Sequence, residues 1–90
     1  MMEINCIVSG TVQNVFYRDY VQVSATELTL VGWVQNLTDG TVEVVAQGSP
    51  DVLKEFVEYL HEGSIKAKVE AVSVDWKTAS SVFDDFSIKQ

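Results

Sequence analysis

Hydrophobic and polar residues alternate along positions 2–9 of the chain. The alternation predicts a strand with one buried face, because successive side chains of a strand point to opposite sides of the sheet. The apolar face consists of Met2, Ile4, Cys6 and Val8. Residues 10–15 show no periodicity, so they are expected to form a loop.

A helical spacing of apolar residues follows this loop and starts at Tyr17. Apolar side chains recur three or four positions apart at Tyr20, Val21, Ala25 and Leu28. This is the spacing of an amphipathic helix. The β-branched valine and threonine residues within it weaken the helix on propensity alone, so packing has to stabilise it.

Two strands joined by a tight turn are predicted in the middle of the chain. Residues 31–37 are rich in apolar side chains, and residues 41–46 alternate again. Asp39-Gly40 between them is a strong hairpin signal, because both residue types accept the positive φ of a tight hairpin turn.

A second helix and a last long strand complete the pattern. Ser49 is the predicted N-cap, Pro50 the first helical residue and Gly63 the end of the helix. Its apolar stripe consists of Leu53, Phe56, Val57 and Leu60. Residues 68–76 alternate with a slip between Ala71 and Val72, which predicts either a bulge or a strand buried on both sides. Residues 82–88 are expected to add a short edge strand.

The predicted order of elements is strand, helix, strand, strand, helix, strand. This order indicates an α+β fold of the ferredoxin-like βαββαβ type, with two helices on one face of a four- to five-stranded, mainly antiparallel sheet. We expect residues 1–90 to form a single domain, because a chain of this length holds one hydrophobic core. The fold class by itself says nothing about function.

The chain is acidic, with 13 Asp and Glu residues against 6 Lys and Arg residues and a formal net charge of -7. Such a charge disfavours nucleic acids and anionic membrane surfaces as partners. An RNA-binding domain would share the predicted order of elements, but the basic and aromatic segment typical of that class does not occur. The sequence shows neither a signal-peptide pattern nor a transmembrane run, and the lone Cys6 cannot form an internal disulfide, so we expect a cytoplasmic protein.

Side chains suited to covalent catalysis or metal binding are sparse. His61 is the only histidine and Cys6 the only cysteine, and the predicted fold separates them, which argues against a Cys–His pair. The acidic pair Asp84-Asp85 is too small a set for a metal site, so we expect no metal. The glycine-rich motifs that bind nucleotide phosphates are also missing from the sequence.

The single arginine, Arg18, falls in the first turn of the first predicted helix and is the only basic side chain among residues 1–53. A helix start offers unpaired backbone N–H groups and partial positive charge, and a guanidinium adds forked donors that match a phosphate. These features favour a small anion site at residues 13–18. The alternative is a surface arginine paired with an acid such as Asp19. Asn36, near the hairpin, is on position alone more often a strand or turn residue than a catalytic one.

Two segments resemble the signatures of the acylphosphatase family. Residues 8–18 read Val-Ser-Gly-Thr-Val-Gln-Asn-Val-Phe-Tyr-Arg and are similar to the family pattern Gly-x-Val-Gln-Gly-Val-x-Phe-Arg. Residues 32–42 read Gly-Trp-Val-Gln-Asn-Leu-Thr-Asp-Gly-Thr-Val, with Gly48 following after five more residues, and resemble the second signature. Residues 67–72 and 86–88 are similar to the family's last strands, so the resemblance covers nearly the whole chain.

The resemblance implies an enzyme that hydrolyses the carboxyl–phosphate bond of acyl phosphates to a carboxylate and inorganic phosphate, without a metal or cofactor. Arg18 would bind the phosphoryl group, and Asn36 would orient the attacking water. The backbone N–H groups implied in phosphate binding are those of Gln13, Asn14, Val15, Phe16, Tyr17 and Arg18. An acyl phosphate has a good leaving group, so such an enzyme mainly needs positioning and charge stabilisation. We expect a monomer that binds a small acyl phosphate, with phosphate or sulfate as competing anions.

Two positions depart from the family pattern. Asn14 stands where the pattern has glycine, and asparagine is the next most tolerant residue for a positive φ. Tyr17 replaces a phenylalanine, so its hydroxyl needs a partner if the ring is buried. Asn14 motivates an alternative function, a module that binds phosphate or an acyl phosphate with weak or no catalysis.

Overall fold

The computed structural model describes residues 1–90 and contains five strands and two helices. In chain order these are β1 Met2–Thr11, α1 Tyr17–Glu27, β2 Val31–Asn36, β3 Val42–Gly48, α2 Pro50–Glu62, β4 Lys68–Thr78 and β5 Phe86–Ile88. The strands form one sheet in the order β4-β1-β3-β2-β5, antiparallel except for the parallel pair of β2 and β5. The predicted ferredoxin-like βαββαβ fold is confirmed, with β5 as an added edge strand.

The hydrophobic core lies between the two helices and one face of the sheet. The predicted apolar faces of β1 and α2 point into it, although Met2 and Val57 are only half-buried. The largest fully buried side chains are Tyr17, Phe56, Ile4, Leu53 and Leu60. Burial of large side chains is the main favourable term in folding, and here it stabilises an α1 whose own propensity is weak.

Helix α2 begins and ends where the sequence predicts. Pro50 is its first residue, Ser49 precedes it as the N-cap, and Gly63 ends it at a φ of 77°. The Ser49 side chain makes no capping hydrogen bond, so the cap is formed by backbone conformation alone. Neither α1 nor α2 has the length and apolar character needed to span a bilayer.

Strand β4 carries the predicted bulge, displaced by one residue from the predicted position. Ser9 pairs with Ala71 and Gly10 pairs with Val69, so Glu70 has no partner on β1. Gly10 lies at a φ of 122°, and a Cβ there would overlap the carbonyl oxygen of Lys68. Glycine is needed because the backbones approach closely at this point, where β1 leads into the loop before α1.

The predicted edge strand at residues 82–88 is wrong over its first four residues, since only Phe86–Ile88 pairs with β2. The preceding segment is bound to Gln47 instead. The Gln47 Nε2 donates to the Ser81 carbonyl at 2.6 Å, and the Phe83 N–H donates to the Gln47 Oε1 at 3.0 Å. Bonding to β2 begins directly before Phe86, where the Gly32 N–H donates to the Asp85 carbonyl at 2.8 Å.

Candidate active site

The loop of residues 12–16 joins β1 to α1 and passes through two residues with positive φ. Asn14 and Phe16 both lie at a φ of 61°, and Val15 between them does not. Such alternation turns successive N–H groups toward one concave side that suits an anion. The backbone N–H groups of residues 13–16 donate to no acceptor in the protein. Asn14 therefore adopts the kind of conformation expected of the glycine that it replaces.

The side chain of Gln13 braces this loop against the hairpin that connects β2 to β3. Its Nε2 donates to the carbonyl oxygens of Leu37 at 2.8 Å and Thr41 at 2.9 Å. Because Leu37 directly follows Asn36, these two hydrogen bonds fix the position of the loop relative to Asn36. The sequence predicts Gln13 only as a backbone donor, and this side-chain role was not predicted.

Two further hydrogen bonds attach the loop and the start of α1 to the end of α2. The Ser64 hydroxyl donates to the Val15 carbonyl at 2.9 Å, and the Tyr17 hydroxyl donates to the Leu60 carbonyl at 2.8 Å. Burial raises the pKa of Tyr17, whose hydroxyl therefore remains a donor over the physiological range. The buried Tyr17 ring thus has the hydroxyl partner that its replacement of phenylalanine requires.

Arg18 lies in the first turn of α1 and is half-buried. Its Nη1 donates to the Lys89 carbonyl at 3.3 Å, just beyond β5. The one salt bridge in the structure joins Lys77 to Glu3, so the alternative of an Arg18 paired with Asp19 is wrong. A guanidinium has five N–H donors, and those that Lys89 does not use are available to a phosphate.

Asn36 is the last residue of β2, and its side chain presents an unusual polar atom. Its Oδ1 is the one buried side-chain oxygen or nitrogen of the protein without a hydrogen-bond partner. Leaving such an atom unpaired costs about 1–3 kcal/mol, so buried groups of this kind normally find a partner. Because Asn36 lines a cavity, its amide is a candidate to hydrogen-bond a water molecule there and fix the orientation of that water.

A cavity of about 440 Å³ brings these groups together. Asn14, Phe16, Tyr17, Arg18 and Asn36 all line it. Gln13 and Val15, the other two predicted phosphate-binding residues, do not line it. Gln13 holds the hairpin through its side chain, and the Val15 carbonyl accepts from Ser64.

The C-terminal residues form a wall of the cavity that the sequence does not predict. Ile88 and Gln90 line the cavity, and Lys89 lies between them with its carbonyl accepting from Arg18. The Lys89 N–H donates to the Val34 carbonyl at 2.8 Å, which fixes the segment beside β2. The C-terminal segment reaches the cavity because β5 pairs in parallel with β2. This pairing is visible only in the three-dimensional structure, so the sequence gives no signal for it.

Other reactive side chains lie outside this cavity. Burial, reinforced by the charge of Asp75, raises the pKa of the Cys6 thiol to about 12. A thiol with that pKa stays protonated at neutral pH and is a poor nucleophile. His61 is exposed in the last turn of α2. Residues 1–90 contain no group of three His, Cys, Asp or Glu side chains that could hold a metal ion.

Replacing Gln13 by alanine tests whether its side chain holds the loop in place. The variant loses both bonds to the hairpin, so we expect the free energy of unfolding in urea to fall by about 1–2 kcal/mol. We also expect weaker phosphate binding in a calorimetric titration, because the loop amides lose their fixed geometry. Gln35→Ala is the control, since Gln35 donates to Glu43 away from the cavity. Equal phosphate affinity in Gln13→Ala and wild type would show that the Gln13 side chain is not needed to position the loop for phosphate binding.

Comparison with known proteins gives a consistent result. The sequence model of the acylphosphatase family matches residues 4–88. The chain is 46% identical over 83 residues to an acylphosphatase of Methanococcoides burtonii, covering 92% of this chain and 86% of that one. It is 48% identical over 80 residues to an acylphosphatase of Marinobacter nauticus, covering 89% and 87% of the two chains.

Solved structures agree with the sequence comparison. The crystal structure of an acylphosphatase from Bacillus subtilis superposes with a TM-score of 0.97 at 39% identity, over 100% of both chains. An acylphosphatase from Coxiella burnetii gives a TM-score of 0.91 at 40% identity, covering 97% of this chain and 90% of that one. By family match, sequence identity and fold together, the chain belongs to the acylphosphatase family.

Proposed function

We propose that this chain hydrolyses acyl phosphates to a carboxylate and inorganic phosphate, with Arg18 and the loop amides of residues 13–18 holding the phosphoryl group and Asn36 orienting the water. Membership of the acylphosphatase family supports both the reaction and the assignment as an enzyme. One observation carries the residue roles: Asn36, with its unpaired buried Oδ1, lines the same cavity as Arg18.

Arg18 and the loop amides stabilise charge on the phosphoryl group. In phosphoryl transfer the negative charge spreads over three equatorial oxygens, and enzymes act mainly by positioning and electrostatic stabilisation. The Arg18 side chain brings a full positive charge, and the helix start and free N–H groups add partial positive charge. Because these donors are already fixed by the fold, little reorganisation is needed when the transition state forms.

Asn36 positions the nucleophile without ionising. Its Oδ1 accepts one hydrogen of a water molecule, which leaves a lone pair of the water oxygen directed at phosphorus. The new P–O bond forms as the bond from phosphorus to the acyl oxygen breaks, and the electron pair of that bond leaves with the carboxylate. The proton of the attacking water passes to a phosphoryl oxygen, so the products are a carboxylate and inorganic phosphate. This scheme uses neither a metal ion nor a cofactor.

The finer assignments of compartment and partners are also proposals. We place the protein in the cytoplasm because its single thiol, Cys6, is free and buried in the core. Its substrate is a small acyl phosphate, and phosphate and sulfate compete for the same donors. The protein acts as a monomer, because the cavity with Arg18 and Asn36 is formed within one chain.

Kinetics of two alanine variants test the proposed roles. Arg18→Ala removes the positive charge on the phosphoryl group, so we expect kcat/KM for benzoyl phosphate to fall by roughly 10²–10³-fold. Asn36→Ala removes the acceptor for the water, so we expect kcat to fall by about 10²-fold while KM changes by less than about threefold. Hydrolysis is followed by the loss of benzoyl phosphate absorbance.

Asn5→Ala is the matched control for these variants. Asn5 is also a strand asparagine, but its amide donates to Glu43 at 3.1 Å and does not line the cavity. We expect its kinetic constants to equal those of the wild type. An Arg18→Ala enzyme as fast as the wild type, or an Asn36→Ala loss confined to KM, would contradict the assigned roles.

The alternative of a phosphate-binding module with little catalysis is not favoured by the comparisons. It was motivated by Asn14, and the structure shows Asn14 at a φ of 61° within the loop. We expect Asn14→Gly to change kcat/KM by less than about threefold, because the backbone already has the positive φ that glycine would favour. A gain of about 10²-fold in kcat would show that Asn14 holds the wild type in a poorly active form.

A further inference from the structure

A second cavity, of about 860 Å³, adjoins the first and lies between α1 and the end of α2. We call it the α1–α2 groove. Tyr20 and Val23 line it from α1, and Tyr59 and residues 62–66 line it from the other side. Phe16 and Asp19 line both cavities, so the groove lies directly beside the proposed phosphate site.

Exposed apolar side chains are concentrated in this groove. Seven large apolar residues of the protein are exposed, and four of them line the groove. Their exposed fractions are 75% for Phe16, 55% for Val23, 37% for Tyr59 and 103% for Ile65. Apolar surface gathered in one concave place is typical of a binding site, whereas scattered exposed residues need no explanation.

Phe16 occupies the junction of the two cavities at an energetic cost. It is the N-cap of α1 in the left-handed conformation, with φ 61° and ψ 24°. A bulky residue in that region is strained by roughly 1–3 kcal/mol. Its exposed ring lies outside the hydrophobic core, so packing within the protein does not offset the strain. A ligand that stacks on the ring would supply the missing contact.

The groove leads away from the phosphate site along one face of α1. Phe16, Tyr20, Val23 and Glu27 line it at intervals of three or four residues, which places them on the same side of the helix. The 11 residues of α1 make the helix about 16 Å long. An acetyl group would fill only the first part of such a groove, whereas an aromatic or extended acyl group would continue into it.

Acidic residues outnumber basic residues in the lining of the groove. Asp19, Glu27 and Glu62 line it, and Lys66 is the one basic residue that does. Three carboxylates against one ammonium make the groove electrostatically unfavourable for a second negative charge on the substrate.

We propose that the α1–α2 groove binds the acyl group of the substrate and selects acyl groups that are apolar, larger than acetyl and free of negative charge. The proposal rests on the proposed function, because the acyl group can enter the groove only if its phosphate is held beside Phe16. The groove then contributes binding energy from a part of the substrate that does not react.

Two neutral acyl phosphates of different size test this proposal. We measure kcat/KM for acetyl phosphate and benzoyl phosphate with the wild type, Val23→Ser and Ile65→Ser, two residues that line the groove but not the phosphate cavity. Damage to the phosphate site lowers both values, whereas loss of the groove lowers only the value for benzoyl phosphate. We expect the benzoyl-to-acetyl ratio to exceed one in the wild type and to fall roughly threefold to tenfold in each variant.

Val82→Ser is the matched control for Val23→Ser. Val82 is 64% exposed but does not line the groove, so its substitution removes the same exposed side chain from another surface. We expect it to leave the ratio unchanged. An unchanged ratio in both groove variants would overturn the proposal while leaving the proposed function intact. Wild-type hydrolysis at background for both substrates would overturn the function and the groove assignment together.

Charge selection is tested with a pair of acyl phosphates of equal length, hexanoyl phosphate and adipoyl phosphate. The double variant Glu27→Gln/Glu62→Gln removes two carboxylates from the groove, so we expect kcat/KM for the anionic adipoyl group to rise roughly threefold relative to hexanoyl. Glu55→Gln/Glu58→Gln makes the same change in net charge on the exposed face of α2 and should leave this ratio unchanged. Equal effects of the two double variants would overturn the charge selection.

Light scattering at the assay concentration distinguishes the acyl group from another occupant of the groove. We expect a monomer for the wild type and for Ile65→Ser. A wild-type dimer that Ile65→Ser dissociates would overturn the proposal, because a second copy of the chain would then cover the groove.

Discussion

The candidate active site depends on backbone amides that the fold keeps away from any acceptor of its own. The N–H groups of residues 13–16 have no acceptor in the protein. A flexible loop would tend to collapse and pair such groups with its own carbonyls, because unpaired buried N–H groups are costly. Hydrogen bonds made by Gln13, Ser64 and Tyr17 hold the loop and the start of α1 against the β2–β3 hairpin and the end of α2, which prevents that collapse. The Gln13 amide also donates to the carbonyl of Leu37, next to Asn36, so one side chain sets the geometry between the loop amides and Asn36.

The net charge of -7 sets a limit on the kind of anion that this protein can bind. A long polyanion would have to lie across an acidic surface, whereas a single phosphoryl group needs one local region of positive potential. The half-buried Arg18 and the start of α1 supply that region. Acidic residues also outnumber basic ones in the α1–α2 groove, which disfavours a second negative charge next to the phosphoryl group.

Local patterns were sufficient to predict most elements, because alternation, helical spacing and the Asp39-Gly40 turn each act over a few residues. The resemblance implied roles for Arg18 and Asn36, and the structure brings these two residues to one cavity. The remaining features could not be predicted because their partners are distant in sequence. The side-chain role of Gln13 depends on carbonyls 24 and 28 residues away. Ile88 reaches the cavity only because β5 pairs in parallel with β2.

The most direct measurement is a phosphate titration of the ¹⁵N-labelled protein, followed by the chemical shifts of its backbone amides. If the loop amides and Arg18 bind phosphate, the signals of residues 13–18 will shift saturably with phosphate and not with chloride at equal ionic strength. The same shifts will be lost in Arg18→Ala. Saturable shifts centred on the lysines of β4, Lys68 and Lys77, with none at residues 13–18, would contradict the account.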